Sequence, residues 1–211
     1  SAQKVESPTG TLALTFQLTP DGQPTYAVSY KNKPVVLSSA LGVSLKDKTA
    51  LVNHFEVTGT TTHAVNETWK PVLGEQAQIV NHYNELIVAL VQKDSKVKLN
   101  LVFRAFDEGV AFRYDFPKQE NLNYFIISDE KTEFNLTENN KVFWIPGDFD
   151  SNEYVYNETK FSEIDNEKLN LNNGIGVKSI PGKYTLQTPL QMKSPSGLYL
   201  NIFEAAVVNY P

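Results

Sequence analysis

Apolar residues fall at every second position in stretch after stretch of this chain, and that period of two commits it to β-structure with one buried face per strand. Leu12, Leu14, Phe16 and Leu18 alternate with polar or small residues, Pro20-Asp21-Gly22 supplies turn chemistry, and Tyr26, Val28 and Tyr30 resume the alternation, so a hairpin is predicted. Val97, Leu99, Leu101 and Phe103 alternate in the same way. Asp107-Glu108-Gly109 then turns the chain into Val110, Phe112, Tyr114 and Phe116, a second hairpin. Further strands are predicted at 85–91, 123–127, 141–145, 184–187 and 198–208, each bounded by polar, Gly or Pro residues. The one helical candidate, 162–171, is short and poorly patterned. The region 157–183, rich in Asn, Lys, Glu and Gly, reads as a long loop that moves or covers a site. The expectation is an all-β antiparallel sandwich with little helix, carried as one domain over residues 1–211.

Composition narrows the function. Hydrophobic residues make up 41% and charged residues 20%, enough apolar material for a core. The 12 Phe and 10 Tyr fall largely on predicted inward faces and are better read as core than as a ligand platform. A net charge of -5, with Arg104 and Arg113 the only arginines, argues against a phosphate-binding surface, so nucleic acid is excluded as a partner. No apolar run is long enough to cross a bilayer, so membrane insertion is not expected. With no cysteine there is no thiol nucleophile, thiolate metal site or disulfide. Small residues at the start, Ser1-Ala2, are of the kind that flank a signal-peptidase cut.

Catalytic signatures are missing: there is no phosphate-cradling glycine loop, nucleophile elbow or zinc-binding histidine pair. His54 and His63 stand in polar sequence and read as surface residues, and His82 reads as a hydrogen-bonded residue where a strand begins. The densest polar cluster is Trp144-Ile145-Pro146-Gly147-Asp148-Phe149-Asp150-Ser151-Asn152-Glu153-Tyr154, a strand end opening into a turn with three carboxylates and three aromatics. Such a turn can offer hard oxygen ligands to calcium, and the same residue types also make an ordinary solvated turn. Trp144 and Tyr154, together with Trp69, lie beside polar turns, where flat rings could stack on a sugar; Trp144 and Tyr154 are the candidate substrate-binding residues. Glu204 falls on the apolar face of its predicted strand and is expected to pair with Arg104, Arg113 or a lysine.

Taken in order, Glu67-Thr68-Trp69, His82-Tyr83-Asn84-Glu85-Leu86, Phe112-Arg113-Tyr114, Asn123-Tyr124-Phe125, Trp144-Ile145-Pro146-Gly147-Asp148, Glu153-Tyr154 and Glu204-Ala205-Ala206 resemble the N-terminal domain of glycoside hydrolase family 97. The resemblance implies a galactose-mutarotase-like β super-sandwich packed on a (β/α)8 barrel that carries the catalytic carboxylates. It further implies an α-glucosidase or α-galactosidase acting in the bacterial periplasm on α-linked oligosaccharides. Ca2+ is its implied cofactor, held mainly by barrel glutamates, with Glu153 at the position that matches the ligand from the N-terminal domain. The catalytic barrel would lie outside this chain, which stops at Tyr210-Pro211 with the last strands of the sandwich expected to be missing. Residues 1–211 alone would then be inactive. The alternatives are a free-standing carbohydrate-binding module without catalysis, and a sandwich with no ligand at all.

Overall fold

The structure, a computed structural model, describes residues 2–169 and 179–205. It is built of short antiparallel strands and three single-turn 3-10 helices. The chain expected to hold one core gathers into two compact units, Ser1–Thr137 and Glu138–Tyr210. None of its helices is long and apolar enough to cross a membrane.

In the first unit, β1 (Gln3–Glu6), β2 (Leu12–Leu18), β3 (Pro24–Tyr30) and β4 (Lys33–Ala40) form one sheet in that order. The predicted first hairpin is β2–β3, with Leu14 opposite Val28 and Phe16 opposite Tyr26. Gly22 makes its turn possible: its φ is +72°, and a Cβ there would sit 2.6 Å from the backbone nitrogen of Phe55. The turn from β3 to β4 has Lys31 and Asn32 at φ 48° and 62°, both left-handed, as a two-residue hairpin turn needs.

The second sheet runs β6 (Phe55–Trp69), β7 (Ile79–Gln92), β8 (Lys98–Ala105) and β9 (Val110–Asp115), with the predicted second hairpin as β8–β9. The two sheets face each other. Phe16 meets Phe103 with ring centroids 5.9 Å apart, and Leu86, Val88, Leu90, Leu99 and Leu101 fill the layer between them. A two-stranded ladder of β5 (Val43–Leu45) and β10 (Ile127–Glu130) completes the unit. The strand predicted at 123–127 therefore begins only at its last residue, because Glu120–Leu122 form a 3-10 turn and the chain stays irregular up to Ile127.

In the second unit, β11 (Lys141–Trp144), β12 (Asn157–Lys160), β13 (Leu190–Lys193) and β14 (Tyr199–Ile202) make one sheet in the order β12-β11-β13-β14. Val142, Trp144, Leu190 and Met192 form its core with Ile164. The region read as a long loop begins with the β12 strand. The helical candidate inside it resolves into 3-10 turns at Phe161–Glu163 and Asn166–Lys168, and its final residues lie outside the described part. The strand expected at 184–187 shrinks to a single bridge between Leu186 and Pro146. Of the one expected at 198–208, Tyr199–Ile202 is strand, and residues beyond 205 lie outside the described part.

Candidate functional site

The turn that follows β11 is shaped by one carboxylate. Asp148 Oδ1 accepts hydrogen bonds from the backbone of Asp150 at 2.8 Å and Ser151 at 3.2 Å, and from the Ser179 hydroxyl at 2.7 Å. Its Oδ2 accepts from the Ser179 backbone at 3.1 Å and from the Tyr154 hydroxyl. Asp is suited to this because its short side chain can bond the backbone two and three residues on, winding the chain into a turn. The Tyr154 hydroxyl, with the backbone of Asp150 and with Ser179, holds the Asp148 carboxyl well below the usual carboxylate range. Burial, and the bond to Asp148, push the Tyr154 phenol up to about 12, so it stays a donor at every physiological pH.

The turn is clamped from behind. Gly147 donates its N–H to Thr185 O at 2.9 Å, and a Cβ on Gly147 would stand 2.9 Å from Thr185 Cβ, so only glycine fits. Gln187 Nε2 donates to Ser151 O at 2.8 Å. Asn166, buried, donates through Nδ2 to Gly182 O at 2.9 Å and Thr185 O at 3.0 Å, fixing the clamping segment in turn.

Against this scaffold the three carboxylates of the turn separate. Asp148 has its lone pairs consumed by protein donors. Asp150 and Glu153 are exposed, and among the described residues neither carboxylate has a hydrogen-bond or ion-pair partner. Glu153 is nonetheless positioned, since its backbone N–H donates to Ser151 Oγ at 3.1 Å. Phe149, 81% exposed, and the exposed Val155 and Tyr156 lie within four residues of it in sequence. Among the described residues no three His, Cys, Asp or Glu side chains gather as a metal site. Calcium needs six to eight oxygens, more than the two free carboxylates of this turn supply.

The two aromatic candidates are placed differently from the stacking expectation. Trp144 is 1% exposed, and its Nε1 donates to Thr159 Oγ1 at 3.0 Å on the neighbouring strand. Tyr154 is buried with its hydroxyl committed to Asp148. Neither ring offers an open face: Trp144 ends β11 inside the core of its sheet, and Tyr154, in the irregular segment before β12, is buried against the turn. Trp69 is the tryptophan with an exposed face. Glu204 is exposed and accepts from Thr188 Oγ1 at 2.6 Å, and among the described residues it pairs with neither an arginine nor a lysine. Arg104 instead donates its Nε to the buried Glu85 at 2.7 Å and lies over the Tyr83 ring. The signal was in the pattern, since Glu85 and Arg104 fall opposite each other once β7 and β8 are paired.

Fold and site together define a β-sandwich module whose turn after β11 presents two exposed carboxylates, Asp150 and Glu153, with no partner among the described residues. The chain belongs to the family described as Glycosyl-hydrolase 97 N-terminal, whose model matches residues 5–211. It is 24% identical over 217 residues to a retaining alpha-galactosidase of Bacteroides thetaiotaomicron, a match covering 97% of this chain and 29% of that protein. A family 97 enzyme from a Pseudoalteromonas species, in complex with panose, superposes with a TM-score of 0.84 at 31% identity, over 99% of this chain and 29% of that one. Its acarbose complex gives 0.83 at 30% identity. A beta-arabinopyranosidase shares the fold, with a TM-score of 0.77 at 21% identity. The chain thus spans less than a third of the relatives it matches, and it corresponds to the N-terminal domain of a family 97 glycoside hydrolase.

Proposed function

We propose that this chain is the N-terminal part of a calcium-dependent α-glycosidase, packs on a catalytic barrel, and supplies Glu153 to the active-site Ca2+. The observation that carries the reading is the division of labour in the turn: Asp148 holds the backbone, while Glu153, like Asp150, is exposed and has no partner among the described residues, and Glu153 is the one that matches the family's ligand position. A free carboxylate on a rigid turn binds a hard cation at low reorganisation cost, whereas one already saturated by five donors would have to give them up. Calcium there would help hold substrate and polarise an oxygen of the reacting sugar. The exposed apolar side chains of the same segment, Phe149, Val155 and Tyr156, are of the kind that a neighbouring domain covers.

The substrate class is an α-linked glucoside or galactoside, supported by the relatives described as complexed with panose and acarbose and as an alpha-galactosidase. The catalytic carboxylates belong to the barrel, so residues 1–211 hydrolyse neither substrate alone. The same reading has the enzyme exported, to the periplasm or beyond, in line with the small residues Ser1-Ala2 at the start of the chain. The carbohydrate-binding module is the weaker reading, since two of its three aromatic candidates are buried.

The test is Glu153→Gln in the full-length polypeptide, with hydrolysis of nitrophenyl α-glucoside and α-galactoside followed across a calcium titration. Losing one charged ligand raises the calcium concentration for half-maximal activity by about 10-fold or more. An unchanged calcium response refutes the assignment of Glu153.

A further inference from the structure

β6 is the edge strand of its sheet and has β7 as its only ladder neighbour among the described residues. Almost every residue along it is exposed. Proteins protect such edges with lysine, proline, inward charges or bulges, because a row of unpaired N–H and C=O groups recruits another strand. β6 has a register shift only at its base, between Val57 and Gly59, and pairs regularly from Gly59 to Trp69. Between Glu56 and Glu67 it contains no proline and no Lys, Arg, Asp or Glu.

The outer half of this hairpin also lacks a third strand. β8 pairs with β7 from Val91 only as far as Asn84, so Ala64–Trp69 and Ile79–Tyr83 continue as a two-stranded ribbon. Isolated ribbons of two strands are marginal in water. This one ends in apolar side chains, with Val72 98% and Leu73 91% exposed, and with Trp69 and Val80 exposed beside them.

We propose that β6 pairs antiparallel with the β6 of a second copy of this chain, about a two-fold axis at Ala64, to make one continuous sheet across a dimer. The sequence fits its own reversal in that register. Thr60 falls opposite Thr68, Thr61 opposite Glu67, Thr62 opposite Asn66, His63 opposite Val65 and Ala64 opposite itself, so no like charges meet. Trp69 falls opposite Gly59, where a large ring covers the gap left by the missing side chain. The same register carries each apolar tip past the base of the other copy's β6, where Val57 is exposed. The ribbon's charges are few and mixed, with Glu67, Lys70 and Glu75 between Ala64 and Ile79, which suits a protein surface rather than a polyanion.

The experiment is light scattering and sedimentation of the purified protein over a concentration series, with Ala64→Lys and Ala64→Glu alone and mixed. Ala64 is exposed, so either variant leaves the monomer folded, as circular dichroism will check. The wild-type mass is expected to rise toward twice the monomer's with concentration. Each charged variant weakens association about 10-fold or more by setting like charges across the axis, and the equimolar mixture restores it as a heterodimer. Hydrogen exchange on the unmutated protein gives an independent reading, in which the Gly59–Trp69 amides gain protection as concentration rises. A protein that stays monomeric, a mixture that fails to recover, or β6 protection independent of concentration overturns the proposal.

Discussion

Replacing Trp144 by alanine separates the two roles its position allows. The side chain is 1% exposed, the largest fully buried one among the described residues. A buried aromatic removes about 150–250 Å² from water, which at ~25 cal/mol/Å² is worth about 4–6 kcal/mol of transfer. Alanine keeps a small part of that and the site relaxes only partly, so the expected cost is about 4 kcal/mol, within the range for Trp-to-Ala changes in cores. The lost hydrogen bond adds little, because Thr159 Oγ1 still donates to Lys160 O and lies near solvent. With a urea slope of about 2 kcal/mol per molar, the unfolding midpoint of the second unit falls by about 2 M, followed by far-ultraviolet circular dichroism. The variant retains Trp69 as its only tryptophan, so in the dilute monomer its emission is that of a half-exposed indole that acrylamide reaches. A stability loss below about 1 kcal/mol, or an accessible indole at 144 in the wild type, would refute the packing argument and return Trp144 to the ligand platform.

Other consequences follow from the turns. Asp148 has a folded-state pKa depressed below its ordinary 3.8, so its contribution is complete above about pH 4 and is lost as pH falls from there toward the folded value. Tyr154→Phe removes its largest cause and brings that loss to higher pH, measurable as the titration of the Asp148 carboxyl by NMR; an unmoved titration would show that the phenol does not set it. Gly22→Ala forces a Cβ to 2.6 Å from the Phe55 backbone at a left-handed φ, and thermal unfolding should show a loss above about 2 kcal/mol, where a neutral result would mean that the two turns are not in contact.

Much of the architecture was legible in residue pattern because it rests on local rules. Period-two alternation located β2–β3 and β8–β9, and turn residues such as Gly22 marked their reversal. β6 was overlooked because it buries only its first residue and so has no apolar alternation; its signal was the density of β-branched Thr and Val from Val57 to Thr68. β4 was overlooked for want of reading Lys31-Asn32 as a left-handed turn pair.

At the site, sequence identified the cluster 144–154 as polar and turn-forming, and resemblance singled out Glu153. Which carboxylate is spent and which is free depended on partners far along the chain. Ser179 reaches Asp148, Gln187 reaches Ser151, and Thr185 closes on Gly147. Likewise Arg104 went to Glu85, across one ladder step, rather than to Glu204. Alternation and turn chemistry are properties of a few consecutive residues and survive without the fold. Burial of a ring and saturation of a carboxylate are properties of what the fold brings alongside, and here only the tertiary structure could bury Trp144 and Tyr154, leave Phe149 exposed, spend Asp148 as a brace and leave Asp150 and Glu153 open.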